Sequence, residues 1–214
     1  FAVKEFFKVM GNENIEHRHN DLFYDNDSRD NYLFNTKING IEESDLIILI
    51  GTNPRYEATM LNARIRKSFL KNKTKIFSMG NIGDTTYPYT IIDNNSSELK
   101  NLLEKKGILF DHFKDAKAPM IVFGESFFKL KSAEYLFKFT KKFVKEHEYQ
   151  FKKGWQSINF LTKNASSVGA KDLNITNTNF RNNILLNKLN MGQIDFLFLF
   201  GQDDLKFSKK NEFI

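Results

Sequence analysis

The sequence predicts an α/β fold, in which helices flank a Rossmann-like parallel sheet, and three observations support this prediction. Short apolar runs recur along the chain, and each fits a strand that is buried on both faces. A glycine closes each run and lets the backbone turn sharply. Helical or polar sequence then follows, as a parallel sheet requires. The runs occupy Leu46–Ile50, Lys75–Met79, Met120–Phe123 and Ile194–Phe200.

The first run opens a strand, turn and helix around which the rest of the chain is organised. Gly51 ends the strand. Thr52 or Asn53 can cap the following helix, because a short side-chain oxygen accepts a free N–H of the first turn. Pro54 suits the first helical position, where no donor is needed. The spacing predicts a helix with a buried stripe formed by Ala58, Leu61, Ile65 and Phe69.

Hydrophobic periodicity and turn residues predict the other elements in chain order. Helices are predicted over Phe1–Met10, from Ser96 or Ser97 to Lys106, over Ser132–Glu146 with Leu136, Phe139 and Phe143 inside, over Trp155–Ala170 and over Phe180–Leu189. Irregular segments are predicted over Asn12–Asp30, Asp84–Tyr89 and Asn174–Asn179. We interpret the final residues, Glu212–Ile214, as the opening of a further strand.

Length and composition fit a globular protein. The 214 residues suit one large domain or two small ones. We interpret residues 1–214 as a partial α/β domain, with a possible division into lobes at 1–115 and 116–214. A hydrophobic fraction of 41 % with 27 % charged residues is not typical of a disordered chain. No apolar run approaches the ~20 residues that a membrane-spanning helix needs.

Cysteine content and charge exclude several functions. Cysteine is absent, so this polypeptide has no disulfide, no thiol nucleophile and no cysteine ligand for an iron–sulfur cluster. The net charge is +6, but no basic run is interleaved with aromatic residues as a nucleic-acid platform needs. Frequent Phe, Asn, Lys and Ile indicate an AT-rich genome instead. We therefore predict no nucleic-acid partner.

One loop carries a candidate metal site. His17 and His19 can lie on the same side of an extended strand, and a carboxylate from Glu16 or Asp21 could complete a set of ligands. Two solvated histidines beside a cation are the alternative interpretation, and we favour it. We predict no metal site and no catalytic residue in this chain.

Two further clusters of charged residues have ordinary structural interpretations. His112 beside Asp111 could form a dyad, although a polar pair on a loop or helix face fits the sequence better. Arginine pairs well with carboxylates, so the arginine cluster predicts an interface or an internal salt bridge to Glu42–Asp45 rather than catalysis. Its members are Arg55, Arg64 and Arg66.

The carboxyl ends of the strands are where a parallel α/β sheet binds ligands. The turn at Gly51–Pro54 is therefore the natural contact for an anion or a nucleotide. The sequence lacks both the G-x-G-x-x-G motif of dinucleotide sites and the G-x-x-x-x-G-K-[ST] motif of P-loops. It also lacks the G-x-S-x-G elbow of hydrolases.

The segment Ser28–Lys67, which contains G-T-N-P-R-Y-E-A followed by L-N-A-R-I-R-K, closely resembles the large iron–sulfur subunit of respiratory complex I. Within that subunit it resembles the molybdopterin-oxidoreductase-like region. Other matching motifs keep the family order, and the resemblance covers most of the chain. They are I-G-D-T-T-Y-P-Y, K-A-P-M-I-V-F-G, W-Q-S-I-N-F-L-T-K-N-A-S-S-V-G-A-K-D-L and D-F-L-F-L-F-G-Q-D-D.

This resemblance also implies a present role for the central turn at Gly51–Pro54. In molybdenum relatives the equivalent turn lies against the pterin cofactor. The complex I members are understood to have kept the fold and lost the cofactor. The resemblance therefore implies that Gly51, Thr52, Asn53 and Pro54 are a relict of that site with a structural role, and that this chain holds no cofactor.

The resemblance also implies a role and a location. The expected role is a non-catalytic piece of the peripheral arm of complex I, a split or truncated form that braces an iron–sulfur domain on a partner chain. The partners would be other peripheral-arm subunits, with the membrane reached only through the complex. The location would be the matrix side of the mitochondrial inner membrane, with organelle coding. The alternative is a piece of a molybdopterin enzyme such as a formate dehydrogenase.

Overall fold

The computed structural model describes residues 1–12, 14–17, 25, 27–93, 97–164, 166–175 and 188–201. Within these residues a parallel sheet forms the centre of the fold, which confirms the predicted α/β class. Its strands, in chain order, are β1 (Leu46–Ile50), β2 (Lys75–Met79), β3 (Thr90–Asp93), β4 (Pro119–Gly124) and β5 (Ile158–Leu161). Across the sheet they are ordered β3-β2-β1-β4-β5.

Helices connect and flank these strands. They are α1 (Ala2–Val9), α2 (Pro54–Glu57), α3 (Thr59–Asn72), α4 (Ser97–Leu103), α5 (Gly107–Phe113), α6 (Glu125–Phe128), α7 (Ala133–His147) and α8 (Ser167–Asp172). Short 3-10 turns lie at Arg29–Asn31, Ile38–Glu43 and Glu148–Gln150. Among the described residues, no helix combines the length and the apolar character needed to cross a membrane.

Strand β1 is the centre of the core. It lies between β2 and β4, and every one of its side chains is buried. A run of unbroken apolar residues suits this position because helices cover both faces of a parallel sheet. Burial of each large aliphatic side chain contributes about 1.5–3 kcal/mol. One core cluster unites buried residues of the sheet, α3 and nearby loops: Ile41, Ile47, Leu49, Leu61, Ile65, Ile76, Tyr87, Met120 and Val122.

The helix after β1 is interrupted, whereas the sequence predicted one continuous helix. Ala58 adopts φ −156° and ψ 76°, so α2 ends before it and α3 begins at Thr59. The predicted stripe is nevertheless on the inner face. Leu61 and Ile65 are buried, while Ala58 and Phe69 pack against the core cluster.

The predicted helix over Trp155–Ala170 is wrong. Residues 158–161 form β5, which pairs with β4, and only the end of the range is helical, as α8. Tertiary contacts override the local pattern here. The Trp155 indole N–H donates to the Pro119 carbonyl at 2.7 Å, and the Phe160 ring packs on Phe128 at 4.8 Å.

The run Ile194–Phe200 is not a strand, although the sequence predicted a buried one. Phe196 and Phe200 are 72 % and 62 % exposed. The Phe198 ring contacts Phe7 of α1 at 5.4 Å instead of entering the sheet. The edge strand next to β2 is β3, a segment with no predicted strand.

Other helices differ from their predictions in detail. The helix predicted from Ser96 or Ser97 to Lys106 is shorter, and α5 and α6 were not predicted. In α7, Leu136 and Phe143 are buried as expected, but Phe139 is 43 % exposed and stacks on Tyr135 at 4.2 Å. Most of the helix predicted over Phe180–Leu189 lies outside the described residues, as does the strand predicted at Glu212–Ile214.

The chain divides into two compact units. One unit, Asp25–Ala165, contains the whole sheet. The other combines Phe1–Tyr24 with Ser166–Ile214, and in it the Lys4 ammonium donates to the Leu173 carbonyl. The sheet itself spans the boundary between residues 115 and 116, because β1 pairs with β4.

Candidate functional site

The candidate site lies at the carboxyl edge of the sheet, where β1 and β4 end side by side. The strand order reverses at this pair, since β2 and β3 follow β1 on one side while β4 and β5 lie on the other. Open α/β sheets bind their ligands in the crevice outside such a switch point. Gly51 follows β1, and Gly124 ends β4.

The two glycines bring the backbones of the strand ends into direct contact. Gly51 has φ 65°, and a Cβ atom there would lie 2.6 Å from the backbone nitrogen of Phe127. A Cβ atom on Gly124 would lie 2.4 Å from the Gly51 carbonyl oxygen and 2.5 Å from the Thr52 Cβ. No side chain fits in either place. Only glycine therefore allows the two strand ends to approach each other this closely.

The Glu57 carboxylate binds polar groups on both of its oxygens beside the turn. Thr52 is 2 % exposed, and its hydroxyl donates to Glu57 Oε2 at 2.6 Å. The other oxygen, Glu57 Oε1, lies 3.5 Å from Lys163 Nζ. The backbone N–H of Lys163 also donates to Oε1 of the buried Glu125 at 2.9 Å. One lysine thus connects two carboxylates at the edge of the sheet.

The remaining turn residue, Asn53, holds the adjacent helix and loop. Its side-chain oxygen accepts from the Arg55 backbone N–H at 2.9 Å, which selects Asn53 over Thr52 as the cap. Its side-chain N–H donates to the Ile82 carbonyl. Arg55 forms an ion pair with Asp84 in the same loop. The Thr86 backbone N–H, followed by Arg55, lowers the pKa of Asp84.

The three arginines of the predicted cluster make different contacts. Arg64 forms the predicted internal salt bridge with the acidic segment, through Glu42. Lys67 Nζ also lies 2.8 Å from Glu42 Oε2. Hydrogen bonds from Lys67, and then from Arg64, lower the pKa of Glu42. Arg66 is exposed and forms no ion pair with another described residue.

One candidate metal site is described only in part. His19 and Asp21 lie outside the described residues, so the proposed ligand set with His17 and Glu16 is not described as a whole. Within the described part of the chain, no three His, Asp or Glu side chains are grouped as metal ligands.

His112 and Asp111 both lie on α5, which agrees with the prediction that they form a polar pair on a loop or helix face. His112 Nδ1 lies 3.1 Å from Lys75 Nζ, whereas Asp111 pairs with Lys114 at 2.9 Å. Partial burial, and then the charge of Lys75, lower the pKa of His112. The two side chains do not form a dyad of hydrogen-bonded partners.

Sequence reasoning missed several residues that contact the turn at the switch point. Gly124 was visible as the end of an apolar run, and its contact with Gly51 follows once β1 and β4 are known to be neighbours. Lys163 and Glu125 gave no such signal. Lys163 meets Glu57 and Glu125 because residues 158–161 form β5, whereas the sequence of that segment predicted a helix.

The fold is that of an α/β protein with an open parallel sheet, and the switch point of the sheet lies at a G-T-N-P turn. The whole chain, residues 1–214, matches the family described as molybdopterin oxidoreductase. The protein belongs to the molybdopterin oxidoreductase family.

Several curated relatives are subunits of one enzyme. The chain is 35 % identical over 175 residues to the NADH-ubiquinone oxidoreductase 78 kDa subunit, mitochondrial, of Candida albicans, covering 80 % of this chain and 24 % of the relative. It is 31 % identical over 201 residues to the 75 kDa subunit of the same oxidoreductase from Reclinomonas americana, covering 93 % and 28 %.

A plant protein extends the matched region further. The chain is 28 % identical over 208 residues to NADH dehydrogenase [ubiquinone] iron-sulfur protein 1, mitochondrial, of Solanum tuberosum, covering 97 % of this chain and 27 % of the relative. The chain thus spans about a quarter of the length of the curated relatives that it matches.

Proposed function

We propose that this chain is part of respiratory complex I, the NADH-ubiquinone oxidoreductase, and that its role there is structural. The relatives support membership, since their names describe subunits of that enzyme. The chain would contribute to the peripheral arm. It would brace an iron–sulfur domain on another polypeptide during electron transfer from NADH to ubiquinone.

The close packing and hydrogen bonding of the turn at the switch point are the main support for a structural role. Gly51 and Gly124 bring the two strand ends together, and a Cβ atom on either residue would collide with neighbouring backbone. Thr52 already donates to Glu57, and Asn53 is bonded to both Arg55 and Ile82. We therefore infer that Gly51, Thr52, Asn53 and Pro54 are a relict turn that now holds the fold together.

The chemistry of electron transfer would belong to partner chains. This sequence has no cysteine, the ligand that iron–sulfur clusters usually require. The clusters would be carried by other peripheral-arm subunits that contact this chain, and the chain would meet the membrane only through them. No residue in it is assigned a catalytic role.

The proposed location is the matrix side of the mitochondrial inner membrane. The names of the Candida albicans and Solanum tuberosum relatives include the word mitochondrial, which supports this location. The bias towards Phe, Asn, Lys and Ile supports coding by an organelle genome. Fractionation of mitochondria, with protease added before and after rupture of the inner membrane, tests the orientation.

The test of the structural role is the composition of the purified assembly. The chain is isolated with an affinity tag from membranes of its own organism, its partners are identified by mass spectrometry, and molybdenum and tungsten are quantified. We expect subunits of NADH-ubiquinone oxidoreductase and far less than one molybdenum or tungsten atom per chain. A stoichiometric metal with a bound pterin, or formate oxidation by the assembly, would contradict the proposal.

A further inference from the structure

Helix α3 presents an apolar stripe to solvent on the face opposite the core. Met60 and Leu70 are 73 % and 58 % exposed, and Ala63 between them is exposed as well. Leu61 and Ile65 already fill the core face of the same helix, so the outer side chains have no role in the core. We call Met60, Ala63 and Leu70 the outer stripe.

The spacing of the outer stripe suits contact with another helix. Met60, Ala63, Lys67 and Leu70 are separated by steps of three, four and three residues, and such steps return to one side of a helix. This is also the pattern of the seam between two packed helices. Ala63 at the middle leaves room for a second backbone to approach closely.

The charges that α3 itself carries beside the outer stripe are all positive. At 100° per residue, Arg66 lies on one side of the stripe, and Lys71 lies on the other. Helix α3 contains no acidic residue, and neither Arg66 nor Lys71 forms an ion pair with another described residue. Lys67, which lies between Ala63 and Leu70, pairs with Glu42 at 2.8 Å.

We propose that the outer stripe of α3 docks an amphipathic, acidic helix of another polypeptide. Carboxylates on both sides of an apolar seam would complement Arg66 and Lys71, and their apolar residues would cover Met60 and Leu70. Contact with α3 of a second copy is disfavoured, because it would bring bases against bases. A membrane surface is disfavoured, because the stripe is narrow and holds no aromatic residue.

This inference names a surface within the assembly proposed above, and it rests on that proposal only for the identity of the assembly. The first experiment replaces Met60, which is 73 % exposed at one end of the outer stripe, with a photoreactive phenylalanine analogue in the full chain, expressed in its own organism. Illumination of the native assembly should join residue 60 to an acidic helical segment of another polypeptide, located by mass spectrometry. The same analogue at Tyr149, which is 84 % exposed, should not label that segment.

The second experiment tests the charges. Arg66→Glu should reduce the amount of the crosslinked partner that co-purifies by about tenfold, because a carboxylate would then face carboxylates. Arg66→Lys should retain most of it, since the charge is kept. Lys145→Glu is the matched control on the exposed face of α7 and should change nothing. Wild-type recovery with Arg66→Glu would overturn the inference.

The outcomes separate this inference from the proposed function. Labelling of a second copy, of lipid or of nucleic acid would overturn the docked helix, as would absence of any crosslink in a chain that assembles normally. Assembly with other NADH-ubiquinone oxidoreductase subunits would still support the proposed function in those cases. Labelling of an acidic helix in an unrelated assembly would support the docking surface and contradict the proposed function.

Discussion

Gly51 and Gly124 determine how the two central strands end, because each approaches backbone where any side chain would collide. Gly51 adds a left-handed conformation, which costs other residues roughly 1–2 kcal/mol. The requirement for glycine at this point is thus both conformational and steric. Thr52 and Glu57 add a partly buried hydrogen bond that fixes the turn to the end of α2.

We predict that Gly51→Ala destabilises the protein much more than Gly154→Ala. Both residues have positive φ, 65° and 74°, but nothing lies within 4 Å of a Cβ atom at Gly154. The excess loss at Gly51 should be about 1–3 kcal/mol, since the added methyl group must displace the backbone at Phe127. Urea denaturation of the full chain measures the difference. Equal losses would show that the close contact is unimportant.

The pH dependence of stability should reveal the ion pairs of Glu42. Lys67 and Arg64 lower the pKa of this carboxyl in the folded protein. A lowered folded-state pKa stabilises the protein above the unfolded-state pKa, and the effect is lost as the pH falls through the folded-state pKa. Glu42→Gln should therefore lower the urea midpoint more at neutral pH than at an acidic pH below the usual glutamate pKa of about 4.3. A loss that is the same at both pH values would contradict this assignment.

At the scale of elements, the central strands and their glycines could be predicted from the sequence, whereas the edges of the sheet could not. β1, β2 and β4 are apolar runs whose burial decides their structure. β5 contains Asn159 and lies in a segment with a helical pattern, and β3 is short. Both edge strands depend on neighbours that are distant in sequence, and local propensity does not contain that information.

The buried side chain of Asn159 in the edge strand β5 gives a prediction at the scale of elements. Asn159 is fully buried, its side-chain oxygen accepts from the Thr36 backbone N–H at 2.7 Å, and its amide donates to Thr36 Oγ1 at 2.9 Å. Asn159→Leu should cost about 1–3 kcal/mol, because the Thr36 backbone N–H would be buried without a partner. Asn164→Leu, at an exposed position, should change stability by less than about 0.5 kcal/mol. Comparable losses in the two variants, measured by thermal denaturation, would contradict the account.

At the scale of the whole molecule, the sequence motifs predicted the family and the class of fold, and both are confirmed. The G-T-N-P turn could be placed at the end of a strand because its residues have local conformational meaning. The contacts around this turn could not be predicted, since they are made by Phe127, Lys163 and Glu125, which belong to later parts of the chain. The candidate site was thus located by sequence, but its chemistry was not.

The central claim is that the chain supports assembly of NADH-ubiquinone oxidoreductase without taking part in its chemistry. The most direct measurement depletes the chain in its own organism and compares the amount of assembled enzyme, separated by native electrophoresis, with the NADH-ubiquinone oxidoreductase activity of the same membranes. We predict that the two fall together, so that turnover per assembled enzyme is unchanged, and that re-expression of the wild-type chain restores both. Normal assembly with lost activity, or no effect on either quantity, would contradict the claim.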